Sequence, residues 1–311
     1  MPGTNGAARD GRNAAAWPRT TVLLAGNVTL DRVPGGFTPG GTVSYAARTY
    51  LGLGARVRAV TAAAADYPSA TLAGADVVVV PAARTTTFVN TYDAAGIRTQ
   101  RVEAIAPPVE PSQAPASWLA ADLVHLAPIM GEIALRTWLP AVRGRFVGIG
   151  VQGWVRAVAA DGTVIQPPWE PAPEELRGVD AACVGEDDLR GQGDLLDRLI
   201  AAVPIVAFTH GDRGCEVIVR GRTLRIGAFR THEVDPTGAG DVFSAGFFLG
   251  LAEGADPAQA ARLGAAAASI VVEARGADAL DRIPEARARV AAVPVLSGSA
   301  GAAAPVETRS P

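Results

Sequence analysis

The chain is poor in cysteine. Cys183 and Cys215 are the only two among 311 residues, and they form no C-x-x-C pair. This excludes a disulfide framework and a cysteine-built structural metal, and it points to a reducing compartment. Aromatic residues make up only 5%, so a core must be assembled from small, closely packed side chains. No basic block occurs, and 28 cationic against 31 anionic residues leave a net charge of −3. That argues against a nucleic-acid surface. No apolar run reaches the roughly 20 residues of a membrane span. The N-terminus lacks a charged-then-apolar leader pattern, so a cytoplasmic location is expected.

What the chain does have is a glycine-rich stretch, Asp235-Pro236-Thr237-Gly238-Ala239-Gly240-Asp241, followed by an apolar run from Val242 to Leu249. Glycines let the backbone approach a ligand closely. A helix opening there aims unpaired N–H groups at whatever lies above it, which is an anion site by geometry. Gly238, Ala239 and Gly240 are therefore a candidate anion hole. Asp241 reads in two ways. It is a first-turn carboxylate favoured by the helix dipole, or a general base that takes a proton from a substrate hydroxyl while the N–H groups hold a phosphoryl group.

The rest of the chain alternates between short apolar runs and helical stretches. Residues 21–25 read as a buried strand, and Asp31 lies just past its end, where ligands bind in open α/β sheets. Pro34 to Gly41 reads as a loop, with Gly40-Gly41 opening a helix over 42–51. Residues 57–61 and 76–80 read as strands. Residues 85–93 and 97–102 alternate around Ala94-Ala95-Gly96, a β-hairpin signal that offers Asn90, Tyr92 and Arg98 as polar groups. His125, in the apolar strand 123–127, reads as a core histidine; Glu132 reads either as pointing into the cleft or as the start of a helix over 133–139, with the helix favoured.

After the strand at 146–151, Gln152 and Arg156 face the open end of the sheet. Gln152 suits a polyol and Arg156 a phosphate, or the segment is a hairpin with an exposed Arg, a reading of equal weight. After the strand at 181–184, Glu186 and Asp188 are either hard oxygen ligands for Mg²⁺ or an acidic helix start. The strand 205–209 ends in Thr209-His210-Gly211-Asp212-Arg213-Gly214. A hairpin over 215–226 and an Ala-rich helix over 257–274 follow. The alternation predicts an α/β fold: a three-layer sandwich with a mostly parallel central sheet covered by helices on both faces, plus a small β lid. One domain is expected over 20–295, with the lid hairpin at about 84–103 and residues 31–39 near it. Residues 1–19 and 296–311 are expected as disordered tails.

Asp235-x-Thr237-Gly238-Ala239-Gly240-Asp241 resembles the C-terminal signature of the ribokinase-like (PfkB) carbohydrate and nucleoside kinases. Gly40-Gly41 resembles the N-terminal signature, and Thr209-x-Gly211-x-x-Gly214 the turn that faces ATP. The resemblance covers roughly residues 20–290. It implies an ATP-dependent kinase using Mg²⁺, with Asp241 as base. Asp31, Gly40, Gly41, Asn90, Gln152 and Arg156 would hold the substrate, and Thr209, Gly211, Gly214 and Thr237 would shape the ATP site. The family's Asn-x-x-Glu, which orders magnesium, is here Gly185-x-x-Asp188, with Glu186 as a substitute.

Ribokinase follows its glycines with Lys and Asn; this chain offers Thr42, Ser44 and Tyr45. This departure tells against ribose, and the expected substrate is a sugar or a cyclitol such as an inositol. The alternative is a nucleoside, whose base would need a face from Phe37, Tyr45, Phe88 or Trp154. A reading from another class is a non-catalytic sugar or nucleotide sensor on the same fold. Expected partners are a small molecule and, where an assembly forms, a second copy through the lid. No nucleic acid or membrane is expected.

Overall fold

Runs such as Thr21–Ala25 are apolar on both faces, which suits a strand buried between two layers. The computed structural model describes residues 19–92 and 98–297. In chain order, β1 (Thr21–Ala25) is followed by β2 (Thr29–Val33), β3 (Gly36–Gly40), α1 (Thr42–Gly52), β4 (Arg56–Ala63) and β5 (Asp76–Pro81). Then come β6 (Thr86–Tyr92), β7 (Arg98–Ala104), β8 (Leu123–Leu126), α2 (Leu135–Ala141) and β9 (Phe146–Gly150). A small hairpin, β10 (Ala157–Val158) and β11 (Val164–Ile165), precedes β12 (Ala181–Gly185), α3 (Leu195–Ala202) and β13 (Ile205–Thr209). The described chain closes with β14 (Cys215–Val219), β15 (Arg222–Ile226), α4 (Ala239–Ala252), α5 (Pro257–Val271), α6 (Ala286–Arg289) and β16 (Val295–Ser297).

Ten strands form the main sheet in the order β16-β15-β14-β13-β12-β9-β8-β1-β4-β5. From β13 to β5 every pair is parallel; β14, β15 and β16 add an antiparallel edge. The strand order reverses direction beside β1, which pairs with both β4 and β8. Ligand clefts in such sheets open off the carboxyl ends of the strands near that reversal. One face is packed by a cluster that includes Tyr50, Phe247 and Phe248, from α1 and α4. The other is packed by Trp138, Leu195 and Leu199 from α2 and α3, against strand residues such as Leu23 and Ile149.

Small residues let the layers approach. A Cβ on Gly148 of β9 would stand 2.7 Å from the Phe248 ring, and one on Gly250 of α4 would stand 2.9 Å from Ala260 of α5. The expected three layers are present. The crossover from β9 to β12, however, contains the β10–β11 hairpin and 3-10 turns where an α-helix would be usual.

The lid is a four-stranded sheet, β3-β2-β6-β7, in which β2 and β6 are parallel. This corrects two expectations. Residues 34–41 are not a plain loop, because residues 36–40 form β3. Asp31 lies within β2 of the lid and not in a turn after β1. Pro39 misled the reading of this segment; β3 is an edge strand, where a missing N–H costs no ladder bond.

Glu132 does not begin a helix. Its carboxylate is buried and accepts the N–H groups of Asn27, Ile129 and Met130, and α2 starts at Leu135. Residues 296–297 belong to β16 and not to a tail. The turn at 94–96, the side chains of Tyr92 and Arg98, and the tail residues 1–18 and 298–311 lie outside the described residues. His125 is a core histidine: its Nδ1 lies 3.1 Å from the Tyr50 hydroxyl, and burial lowers its pKa to about 3.

Gly148→Val would drive two methyl groups into the Phe248 ring. Overpacking of this kind costs roughly 1–3 kcal/mol, so the variant's urea midpoint is expected to fall with an unchanged slope. Phe248→Leu in the same chain should recover part of the loss.

Candidate active site

A cleft opens off the carboxyl ends of β8, β9, β12 and β13. Ala127, Pro128, Gln152, Gly185, Asp188, Thr209, Gly240 and Asp241 are among its lining residues, and about 90 Å³ of it is interior space. Two helices point their N-termini into this region. α1 starts after Gly41 (φ 85°) and α4 after Gly238 (φ 79°), and neither start has a side-chain cap. By contrast, α5 is capped by Asp256, which accepts from Ala258 and Gln259. Uncapped first-turn amides and the helix dipole favour an anion. Of the expected anion hole, the Ala239 N–H is already donated to the Pro236 carbonyl at 3.1 Å. Gly240 and Asp241, the next two residues of that turn, line the cleft.

Gly238 is fixed for a second reason. A Cβ there would stand 2.3 Å from the Tyr45 ring. Tyr45 therefore lies beneath the glycine turn, buried, and its hydroxyl pKa is raised by burial and by Asp241, Asp31 and Asp235. Asp235 holds the turn's entry: its carboxylate accepts Thr237 N and Gly276 N, each at 2.9 Å. Thr237 itself is exposed and is not among the lining residues.

Asp241 is only partly open to the cleft. Burial pushes its pKa up to about 6; a hydrogen bond from Thr42 and the Arg156 charge pull it down, and Asp188 pushes it up. The Thr42 hydroxyl donates to Asp241 Oδ1 at 2.8 Å across 199 residues. Ser44 is turned away, bonded to the Gly40 carbonyl and the Tyr67 hydroxyl. Arg156 sits close enough to Asp188 and Asp241 to lower both pKa values. The chain contains no lysine, so its side chains of fixed positive charge are all arginines.

The lid carries a polar string, and its residues are not among those that line the cleft. Gln100 donates to Asn90 at 3.1 Å, and Asn90 to Asp31 Oδ1 at 3.3 Å. Gly40 is needed beside Asp31, because a Cβ there would lie 2.5 Å from Asp31 Oδ2. Gly211 and Gly214 shape the turn after β13 at φ 60° and 93°. A side chain on Gly214 would strike the Ile226 carbonyl at 2.1 Å, so its role is packing against β15.

The two acidic candidates separate. Asp188 lines the cleft and accepts Gly185 N–H at 3.0 Å; burial raises its pKa. Glu186 is on the rim, held by His210 at 2.8 Å and by Arg213. Among the described residues, no group of three His, Cys, Asp or Glu side chains could hold a metal. Mg²⁺ keeps most of its waters and takes one or two protein carboxylates beside substrate phosphates. Asp188 alone fits that role; Glu186, tied to His210 and Arg213, does not.

Residues 158–284 match the model of the pfkB family carbohydrate kinases. The chain carries a pfkB segment on a ribokinase-like fold. A pyrophosphate-dependent kinase of the ribokinase family superposes with a TM-score of 0.71 at 23% identity, covering 85% of this chain and 99% of that one. A ribokinase from Arabidopsis thaliana, solved with ribose and ATP, superposes with a TM-score of 0.66 at 19% identity over 88% of this chain and all of that one (100%). An inositol 3-kinase from Arabidopsis thaliana is 40% identical over 76 residues, 24% of this chain and 22% of that protein. The chain matches only about a quarter of the length of such curated relatives. No helix among the described residues is long and apolar enough to cross a membrane.

Thr42→Val removes a hydrogen bond made to the charged carboxylate. The Asp241 titration midpoint is expected to rise above about 6, read by carboxyl ¹³C NMR. Asp241→Asn should raise the melting midpoint above pH 6. There the native carboxylate is ionised at a cost absent from the unfolded chain, whose aspartates titrate near 3.9. The advantage should vanish below about pH 4, where both states hold the proton.

Proposed function

We propose that the protein is a kinase that transfers a phosphoryl group from ATP to a hydroxyl of a small carbohydrate or cyclitol. The observation that carries this reading is Asp241. It is a carboxylate with its pKa raised to about 6, bonded to Thr42, at the mouth of an uncapped helix N-terminus. A base with a pKa near the working pH, beside preorganised N–H donors, suits attack of an alcohol on a phosphoryl group. Asp31, Asn90 and Gln100 offer acceptors and donors to the other hydroxyls of the substrate.

In this reading Asp241 Oδ takes the hydroxyl proton as the substrate oxygen forms its bond to phosphorus. The bond from phosphorus to the leaving diphosphate oxygen breaks in the same displacement. Gly240 and Asp241 amides and the Arg156 guanidinium meet the charge on the transferring group. Mg²⁺, held through Asp188 and the donor's phosphate oxygens, would neutralise charge on the donor when bound. Thr209, which lines the cleft, would meet the donor, with the Gly211–Gly214 turn following it.

A nucleoside is the weaker acceptor. Phe88 and Tyr45 are buried, and Trp154 stacks on Trp169 at 5.4 Å with its Nε1–H donated to Ile133. Phe37, in the exposed β3, faces the Arg32 guanidinium. None of the four offers a free face over Asp241. The plant inositol 3-kinase supports a cyclitol, and the pyrophosphate-dependent relative makes the donor worth varying.

The test is phosphorylation of a panel of sugars, cyclitols and nucleosides with Mg-ATP or pyrophosphate. Asp241→Asn is expected to lower kcat by about 10²–10⁴ while donor binding persists. In the native enzyme kcat/KM should fall as pH drops through about 6, because the base becomes protonated. Binding of a polyol without turnover by any donor would favour the sensor.

A further inference from the structure

The β10–β11 hairpin stands where the crossover from β9 to β12 would ordinarily hold a helix. Two strands of two residues each are not stable alone. Their position is set by what they are fastened to, and they are fastened at two places. At the base, Ala157 of β10 directly follows Arg156. At the tip, the hairpin docks on the lid. Val102 N–H of β7 donates to the Gly162 carbonyl at 2.9 Å, Arg101 and Thr163 form an antiparallel bridge, and the Arg101 guanidinium donates to the Asp161 carbonyl.

The tip is stiff. Asp161 accepts both the N–H and the hydroxyl of Thr163, each at 2.9 Å, and Gly162 turns at φ 88°. Arg101 is next to Gln100, the end of the polar string to Asn90 and Asp31. Thus one run of bonded residues extends from the lid's polar face to the guanidinium beside Asp188 and Asp241.

We propose that the β10–β11 hairpin is a strut that sets Arg156 according to the position of the lid, with Arg101 and Asp161 as its positioning residues. An acceptor gripped by Asp31 and Asn90 thereby places the guanidinium against the phosphoryl group. A lysine at this place could be tuned by titration; an arginine keeps its charge and can be tuned only by moving. The consequence for turnover rests on the kinase reading. The mechanical coupling does not.

The test is a double-mutant cycle read without turnover. Inorganic pyrophosphate binding is measured by calorimetry in the native protein, Arg101→Met, Arg156→Met and the double variant. Arg156→Met should weaken binding about tenfold, the 1.4 kcal/mol scale of one charge-assisted contact. Arg101→Met should weaken it several-fold although it lies on the lid, Arg101→Lys should restore much of the loss, and the double variant should bind like Arg156→Met. Trp154 lies two residues before Arg156, so the stacked Trp154–Trp169 pair reports the segment by its circular-dichroism couplet; the couplet should change in Arg101→Met. Thr163→Val, which loosens the tip from within, should follow the same pattern.

In turnover assays the loss should appear in kcat, with the donor's KM less affected. Additive losses in the cycle, or native pyrophosphate affinity in Arg101→Met, would overturn the strut, as would a native protein that does not bind pyrophosphate. If the cycle behaves as expected but no acceptor is phosphorylated, the kinase reading fails and the strut stands.

Discussion

The hydrogen bond from Thr42 to Asp241 is the contact on which the rest of the arrangement depends. It links the first residue of α1 to the first turn of α4 across 199 positions of sequence. Both helices must begin within reach of the same point, and both begin at glycines with positive φ, Gly41 and Gly238. The sheet order makes this convergence possible. With β1 between β4 and β8, the chain's two halves meet at one set of strand ends. The glycine turn is then held from below by Tyr45 and from the side by Asp235, so neither glycine tolerates a side chain.

The site and the C-terminal region handle charge in opposite ways. Around Asp241 burial outweighs its partners, and the carboxylate is held near neutrality. Around Glu273 the partners win. Arg289, Thr231 and Arg282 bond it, and its pKa falls to about 2. That network packs α5 against α6 and resists acid, whereas the Asp241 carboxylate changes charge in mild conditions.

The glycine signature was legible because its physics is local. Residues 235–241 specify a tight turn, a helix start and a carboxylate within seven positions, and Asp241 stands in the first turn of α4. The central strands and the lid hairpin were legible for the same reason. The rest depends on long-range placement. Nothing near Thr42 announces a partner in α4, and nothing near Glu132 announces three amides from two loops. Glu186 and Asp188 are equivalent in sequence, yet one bonds His210 and Arg213 on the rim and the other lines the cleft. The hairpin strands β10 and β11 carry too few residues for any period to show. Pro39, a breaker by rule, sits where an edge strand forgives it.

The glycine notches have a consequence for how the protein can change by inheritance. Gly148, Gly238 and Gly250 each meet a neighbour's ring or backbone at distances that no Cβ can occupy. Every single-base change of a glycine codon that alters the residue installs a side chain or ends the chain. At these positions drift is nearly closed, and compensation requires a second change in the facing residue. Change is more accessible at the exposed ends of the lid strands, such as Arg32, Val33 and Phe37, where side chains stand in the open.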